Sequence, residues 1–263
     1  MVLSNKVAVI YGSGGAVGGA VAHAFAREGA RVFLAGHHRA SVETVAREVV
    51  AAGGSAVAAE VDALDEQAVD KHLQDVIDHA GRVDISFNAI GIPNTTLQGV
   101  PLTEIPVDRF FLPIATYARS TFLTARLAAR RMVAKRSGVI LTVTAIPSRT
   151  GIPLVGGIAP AWAAVEALTR DLSAELAPHG IRVVGVRSDG MPETGTIQDV
   201  FGIHARALGV SPAQFHQMIA DKNHFRRLPT LSELANVAVF LVSDEASALT
   251  GTIANLSMGV LDD

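Results

Sequence analysis

Cysteine is absent from the 263 residues of this chain, and so is a strong excess of charge of one sign. Without cysteine, disulfide bonds and thiolate metal sites are excluded. The formal net charge of -3 argues against a nucleic-acid-binding surface, which needs a basic excess. Long uncharged apolar runs are also missing, because Arg149 and three prolines interrupt the most apolar stretch, residues 138–168. The sequence therefore predicts neither a membrane span nor a nucleic-acid partner.

The chain does contain a regular alternation of strand-like and helical segments. β-branched apolar runs at residues 7–10, 32–34, 57–61, 83–87, 139–143 and 181–186 predict buried strands. Helical spacing covers residues 41–52, 66–80, 122–134 and 163–177. This alternation favours a parallel sheet covered on both faces, in one domain over residues 1–263. Because residues 1–6 run directly into a strand, we expect no signal peptide and a cytoplasmic location.

The first strand leads into a glycine-rich turn at residues 11–19. Gly12, Gly14 and Gly15 permit a tight turn and a close approach of the backbone to a ligand. Amide groups at the start of the following helix can then hold a pyrophosphate. A glycine-rich turn without a ligand is the alternative, but the position between a strand and a helix favours dinucleotide binding.

Further motifs follow along the chain in a recognisable order. They are Asp62 at the end of the third strand, Asn88-Ala89-Ile90-Gly91 after the fourth, the segments 163–170 and 174–183, the run from Asp189 to Thr194, and residues 240–251. Together with the spacing Gly12-x-x-x-Ala16-Val17-Gly18, these motifs resemble the short-chain dehydrogenase/reductase family. The resemblance covers the whole chain.

The resemblance implies a Rossmann-like three-layer sandwich with a doubly wound, seven-stranded parallel sheet. It also implies an NAD(P)H-dependent oxidoreductase that acts on a small molecule, assembles as a homodimer or homotetramer, and carries a substrate lid at residues 195–228. We expect the ligand of this chain to be apolar. The cofactor residues that it implies are Gly12, Ser13, Gly14, Gly15, Val17, His37, His38, Arg39, Asp62, Ala63, Asn88, Ala89, Gly190 and Thr194.

The positions of the family's catalytic Ser, Tyr, Lys and Asn carry other residues here. In the family a Tyr hydroxyl exchanges a proton with the substrate oxygen, and a Lys four residues later lowers the Tyr pKa. The alignment places Ala145 at the Ser position, Ile158 at the Tyr position and Trp162 at the Lys position. The Asn position falls on Tyr117 if the alignment is anchored on residues 122–126, and on Ile114 if it is anchored on residues 108–109.

A displaced relay is excluded by counting the residues that could form it. The two tyrosines, Tyr11 and Tyr117, are followed four residues later by Gly15 and Thr121. The lysines are Lys6, Lys71, Lys135 and Lys222, so no Tyr-x-x-x-Lys exists. Since a positioned proton donor contributes roughly 10²–10⁴ in rate, we expect the usual carbonyl reduction to be severely impaired.

Ile158 and Trp162 are four residues apart, which places them on one face of a helix. Trp162 either fills the volume of the missing Lys by packing on Ile158 or presents its indole for stacking on a ligand. Core filling is the interpretation that we favour.

Polar residues near the expected carboxyl edge of the sheet are candidates for substitute catalysts, although such residues are more often turn or cap residues, or packed in a helix. Tyr117, on a helix that faces the site, is the best candidate for a hydroxyl donor. The other candidates are expected on strand-to-helix connections, where this architecture binds ligands; they are Thr144 beside Ala145, Ser148, Arg149 and Asp189. Three histidines fall in the expected lid segment: His204, His216 and His224. A histidine side chain can exchange protons near neutral pH, but we expect these three to be solvated. The spacing of the histidines fits no metal site.

The end of the second strand bears on the choice between NADP and NAD. An NAD binder needs an acidic residue there, but this chain has Ala35-Gly36-His37-His38-Arg39. Arg39, helped by His37 or His38, could pair with a 2′-phosphate, so NADP is favoured. The alternative is that Arg39 is a solvated residue at the start of the next helix.

Three classes of function remain open after these observations. The first is an oxidoreductase with an unusual proton donor. The second is a nucleotide-binding but non-catalytic subunit, paired with an active homologue in a hetero-oligomer. The third is a non-redox enzyme, such as a cyclase or hydratase, that uses the emptied pocket.

Overall fold

The computed structural model describes residues 1–262 and contains one seven-stranded parallel sheet, with the strand order β3-β2-β1-β4-β5-β6-β7. The predicted doubly wound α/β fold is confirmed. In chain order the elements are β1 (Val7–Tyr11), α1 (Ala16–Arg27), β2 (Arg31–Gly36), α2 (Arg39–Ala51), β3 (Ser55–Glu60), α3 (Glu66–Ala80), β4 (Ile85–Asn88), α4 (Val107–Val133), β5 (Gly138–Ala145), α5 (Ile158–Leu176), β6 (Ile181–Ser188), α6 (Gly195–Leu208), α7 (Pro212–Ala220), α8 (Leu231–Val242) and β7 (Ile253–Leu256).

Two apolar layers cover the two faces of this sheet. On one face α1, α2 and α8 bury residues such as Phe25 and Leu234. On the other face α3, α4 and α5 bury residues such as Leu73, Leu127 and Leu172. The strand order reverses direction between β1 and β4, and such a switch point opens a crevice at the carboxyl edge of a parallel sheet.

The predicted helix at residues 66–80 has the same bounds in the structure. The Asp65 side chain accepts hydrogen bonds from the backbone N–H groups of Gln67 and Ala68, which fixes the start of α3. Gly81 ends α3 in the left-handed conformation, with φ 74°. Within residues 1–262, no helix is long and apolar enough to cross a membrane.

Two boundaries differ from the sequence prediction. The helix expected at residues 122–134 begins at Val107 and contains Pro113 in its interior. Pro113 is buried against Gly157, so packing offsets the hydrogen bond that proline removes from the helix. The third strand ends at Glu60 rather than at Asp62, which lies in the turn that follows. The predicted lid segment, residues 195–228, contains α6 and α7.

Candidate functional site

The glycine-rich turn joins the carboxyl ends of β1 and β4 through close backbone contacts. Gly12 has φ +74°, and a Cβ atom there would lie 2.6 Å from the carbonyl oxygen of Ala89. A Cβ atom on Gly18 would lie 2.4 Å from the carbonyl oxygen of Gly12. Both glycines are therefore required by the geometry of the turn.

Helix α1 begins directly after this turn, at the carboxyl end of β1. Gly15 is the N-cap, and among residues 1–262 no side chain caps it. Gly14 and Gly15 are exposed, whereas the Ser13 side chain is buried and donates to the carbonyl oxygen of Ala35. The first turn of α1 contains no acidic residue. The Gly15 N–H donates to the Gly12 carbonyl oxygen at 3.1 Å, so a pyrophosphate at the positive end of this helix dipole would be held by other amides of the turn and of the start of α1.

Asn88 is the buried polar residue that organises the end of β4. Its Nδ2 donates to Thr124 Oγ1 at 3.2 Å, and its Oδ1 accepts from the backbone N–H of Ile90 at 3.0 Å. The N–H of Ala89 donates to the carbonyl oxygen of Tyr11. The Asn88 side chain therefore holds the end of β4 against α4, and the Ala89 N–H holds it against the glycine-rich turn.

The remaining predicted cofactor residues lie along the same edge. Asp62 is exposed, and its carboxylate accepts from the Leu64 N–H at 2.9 Å; Ala63 is buried and Val17 is half-buried. The Thr194 side chain caps α6, and the Gly190 N–H donates to the Asp189 carboxylate at 2.6 Å.

The residues predicted to contact a 2′-phosphate are exposed at the end of β2. Arg39 Nε donates to Glu43 Oε1 at 2.6 Å, and this hydrogen bond raises the pKa of the Arg39 guanidinium. The ring centroids of His37 and His38 are 5.4 Å apart. A phosphate at this position must therefore compete with the Glu43 carboxylate for Arg39.

Ile158 and Trp162 lie in an apolar cluster where α5 meets α4. The indole of Trp162 stacks on the Tyr117 ring, with centroids 4.1 Å apart and planes inclined by 19°. Ile158 and Leu97 are buried beside them. One face of the Trp162 indole is therefore occupied by Tyr117, while the residue keeps partial exposure.

Tyr117, our best sequence candidate for a hydroxyl donor, is buried in this cluster. Burial raises the pKa of its hydroxyl, and a hydrogen bond from the Ile92 N–H, 3.4 Å from Oη, offsets this only in part. A catalytic Tyr requires the opposite shift, toward a lower pKa. This environment makes the Tyr117 hydroxyl a weaker acid than that of an ordinary tyrosine.

The loop after β4 closes over the apolar cluster. The Gly99 N–H donates to the carbonyl oxygen of Leu154 at 2.8 Å. Gly156 has φ +58°, and a Cβ atom there would lie 2.4 Å from the carbonyl oxygen of Leu97. Backbone thus packs directly on backbone above Ile158.

A buried ion pair that the sequence reading missed lies one helical turn beyond Trp162. Arg187 donates to Glu166 from Nε at 2.8 Å and from a terminal nitrogen at 3.0 Å. Thr144 Oγ1 and Ser148 Oγ donate to Glu166 Oε1 at 3.0 and 2.5 Å. Thr144 lies inside β5 and is buried, not on a connection as predicted. The strand register, which pairs Thr144 with Arg187, brings these residues together.

The lid histidines differ in their surroundings. His216 and His224 are exposed, as expected. His204 is buried, contrary to the prediction, because its Nε2 lies 3.0 Å from Gln98 Oε1 and its ring stacks on Phe215. Burial lowers the pKa of His204. Gln98 in turn donates to Asn94, so a buried polar chain fastens α6 to the loop after β4.

Asp189 follows β6 and is buried, whereas Arg149 is exposed. Burial raises the pKa of the Asp189 carboxyl, although hydrogen bonds from the Gly190 N–H and the Asn223 side chain act in the opposite direction. Asn223 also donates to the carbonyl oxygen of Arg227, so it ties β6 to the end of the lid segment. Among residues 1–262, no group of three or more His, Cys, Asp or Glu could hold a metal ion.

Comparison with known proteins gives matches along nearly the whole chain. A family model for enoyl-(acyl carrier protein) reductases matches residues 13–260. The uncharacterised oxidoreductase YxbG of Bacillus subtilis (strain 168) is 31% identical over 259 residues, which are 98% of this chain and 92% of that protein. Sorbitol dehydrogenase of Cereibacter sphaeroides is 27% identical over 260 residues, 98% of each chain.

The crystal structure of a short-chain type dehydrogenase/reductase from Mycobacterium marinum superposes with a TM-score of 0.87. It is 29% identical in sequence, and the match covers 99% of this chain and 97% of that chain. The architecture, the glycine-rich turn and these relatives agree with the resemblance read from the motifs.

Proposed function

Since the chain belongs to the short-chain dehydrogenase/reductase family, we propose that it is an NADP(H)-binding oxidoreductase of that family in which the usual carbonyl reduction is impaired. One observation carries this proposal. The residue at the family's Lys position, Trp162, stacks on Tyr117 at 4.1 Å, and the residue at the Tyr position, Ile158, is buried beside them.

The impairment follows from the chemistry of these side chains. Neither Ile158 nor Trp162 can exchange a proton with a substrate oxygen near neutral pH, and Ala145 offers no hydroxyl to orient one. Burial makes Tyr117 a weaker acid, so it does not replace the missing donor. Loss of a positioned proton donor costs roughly 10²–10⁴ in rate.

The nucleotide side of the site supports binding of the cofactor. The exposed backbone at Gly14 and at the start of α1 would hold the pyrophosphate, and Asn88 keeps the adjoining strand end in place. When bound, the nicotinamide cofactor supplies hydride chemistry. The chain's own contribution is to bind the dinucleotide through its backbone and to exclude water with the apolar cluster around Trp162.

The NADP preference rests on Arg39, and Glu43 provides a matched test of it. We expect Arg39→Ala to weaken NADPH binding about 5-fold and to leave NADH binding unchanged, because only NADPH carries the 2′-phosphate. Glu43→Ala frees Arg39 and is expected to strengthen NADPH binding. Titrations that follow the fluorescence of each reduced cofactor measure both effects. Equal affinities for the two cofactors in all three proteins would contradict the preference.

Two experiments test the main proposal. Titration with NADPH is expected to show saturable binding, and no binding up to about millimolar concentration would reject cofactor binding. The triple variant Ala145→Ser, Ile158→Tyr, Trp162→Lys is expected to gain reduction of carbonyl compounds by about 10²-fold or more over the native chain. A folded, NADPH-binding triple variant that reduces no carbonyl in a broad panel would contradict simple loss of the relay.

A non-catalytic subunit of a hetero-oligomer is the second candidate, because α4 carries an exposed apolar stripe. Val107, Phe111 and Phe122 are 70%, 54% and 42% exposed on this helix. Exposed apolar patches of this kind mark association surfaces. A homodimer or homotetramer would cover the stripe equally well, and the mass of the purified protein with and without an active homologue separates these outcomes.

A non-redox cyclase or hydratase remains the third alternative from the sequence. It requires open space where the relay is missing. The burial of Leu97, Ile158 and Tyr117 in one packed cluster gives it no support.

A further inference from the structure

Ser148 presents a hydroxyl at the carboxyl edge of the sheet, close to the emptied catalytic positions. It ends the short 3-10 turn Ile146–Ser148, three residues after Ala145, and it is partly exposed. Its Oγ donates to Glu166 Oε1 at 2.5 Å, a short bond to a charged acceptor. The hydroxyl proton is therefore directed into the protein.

Glu166 is held in its ionised state, in which it accepts the hydrogen bond from Ser148. Burial alone would raise the pKa of its carboxyl, but hydrogen bonds from Arg187, Ser148 and Thr144 together outweigh burial and hold the pKa below its usual range. Glu166 is thus a carboxylate at neutral pH, and the bidentate contact with Arg187 balances its charge. An acceptor of this strength does not release the Ser148 proton to a neutral ligand.

The direction of this hydrogen bond determines what Ser148 can offer to a ligand. A hydroxyl has one proton and two acceptor lone pairs. With its proton on Glu166, Ser148 offers only lone pairs to the crevice, and these bind hydrogen-bond donors. An alcohol hydroxyl is such a donor, whereas a ketone oxygen is an acceptor. Thr144 makes the same bond to Glu166 but is buried, so no ligand reaches it.

We propose that Ser148, oriented by the Glu166–Arg187 ion pair, is a specificity-determining residue that selects hydroxyl-bearing ligands over the corresponding ketones. The proposal rests on the proposed function, because it assumes a small ligand at the substrate side of the dinucleotide crevice. Ala145 cannot do this, since it has no hydroxyl.

The test uses cyclohexanol and cyclohexanone, which have the same ring and differ at the oxygen. Trp162 is the sole tryptophan and lies one helical turn before Glu166. Its indole N–H signal in the proton NMR spectrum therefore reports on ligand binding at this site. Titrations of the full-length protein, with and without NADP, give the two dissociation constants. We expect cyclohexanol to bind about 5-fold more tightly, which corresponds to one net hydrogen bond.

Variants assign this preference to Ser148. Ser148→Ala should remove the preference by weakening cyclohexanol binding while keeping cyclohexanone binding, and Ser148→Thr should restore it. The control Ser137→Ala removes an exposed hydroxyl just before β5, at the opposite edge of the sheet, and should leave the preference intact. Equal binding of the two ligands to the native chain would overturn the proposal, as would binding of neither or a preference that survives in Ser148→Ala.

Failure of the proposed function is distinguishable from failure of this inference. NADPH titration of the same samples reports on the nucleotide side alone. A chain that binds NADPH but shows no alcohol preference keeps the proposed function and loses the role of Ser148. A chain with the preference but no NADPH affinity loses cofactor binding and keeps Ser148.

Discussion

At the end of β1 the chain presents glycines and backbone amides, whereas at the ends of β5 and β6 it presents packed and charged side chains. The β1 side needs Gly12 and Gly18 for their shape, and the amides that follow them belong to the backbone. The β5–β6 side depends on the identities of Ala145, Ile158 and Trp162. A function carried by backbone groups tolerates side-chain replacement, while a function carried by side chains does not.

The difference extends to how the two regions exclude water. The glycine-rich turn leaves Gly14 and Gly15 exposed. The other region is closed by Leu97, by the Tyr117–Trp162 stack, and by the contact between Gly156 and the Leu97 carbonyl. The first region is suited to admitting a ligand. In the second region the cluster around Ile158 has a fixed, packed arrangement, and the partly exposed Ser148 lies at its rim, where a ligand can still approach.

The packed region should be broken most strongly by Gly157→Ala. A Cβ atom on Gly157 would lie 1.8 Å from the Phe110 carbonyl oxygen and 3.0 Å from Pro113 Cγ. Because the clash is with backbone, we expect a loss of about 3 kcal/mol in the free energy of unfolding. Urea denaturation measures it. The control is Gly195→Ala, whose Cβ would meet no atom within 4 Å. If Gly157→Ala were as stable as this control, α4 would be shown to shift and accommodate the added methyl group at little cost.

Acid should weaken the β1 side through His72, whose ring packs edge-on against Tyr11. Burial lowers the pKa of His72 from 6.5 to about 4. Between these values the unfolded chain binds a proton that the folded chain does not, so stability is present above pH 6.5 and is lost as the pH falls toward 4. The loss is at most about 3 kcal/mol.

Urea denaturation at a series of pH values tests this prediction. His72→Phe should flatten the dependence, since the aromatic contact with Tyr11 remains and the titrating group is gone. His79→Phe, at an exposed position on the same helix, should not change it. An unchanged pH profile in His72→Phe would assign the acid sensitivity to another group.

The backbone function of the β1 side is sharpened by comparing two adjacent glycines. Gly18→Ala places a Cβ atom 2.4 Å from the Gly12 carbonyl oxygen, whereas Gly19→Ala makes its nearest contact at 3.5 Å. We expect Gly18→Ala to weaken NADPH binding about 10-fold by displacing α1 from the turn. Gly19→Ala should bind normally and gain up to about 1 kcal/mol of helix stability. Fluorescence titration and urea denaturation measure both, and equal behaviour of the two variants would refute the steric argument.

The sequence predicted those parts of the molecule that local patterns determine. Helix α3 has its cap at Asp65 and its glycine at 81, so both ends are encoded beside it. The start of α4 at Val107 was missed because Pro113 normally interrupts a helix. Only the packing of Pro113 against Gly157, which is distant in sequence, explains its position.

The candidate site also has one part that local sequence predicts and one part that only the tertiary structure reveals. The glycine-rich turn is contiguous in sequence and was readable, whereas Glu166 and Arg187 are joined only by the register of β5 and β6 and the position of α5. His204 was expected to be solvated, because its partner Gln98 lies in a loop whose path no local pattern reveals. The partners of a buried charge such as Glu166, or of a histidine such as His204, become readable only with the tertiary structure.

The Glu166–Arg187 pair has a consequence for the response of the fold to salt. Both side chains are only 2% exposed, so dissolved ions cannot approach and screen their attraction. The Lys6–Asp244 pair, near the opposite edge of the sheet, has an Asp244 side chain that is 83% exposed and is open to screening. Rising ionic strength should therefore loosen the amino edge of the sheet while the link between α5 and β6 keeps its strength.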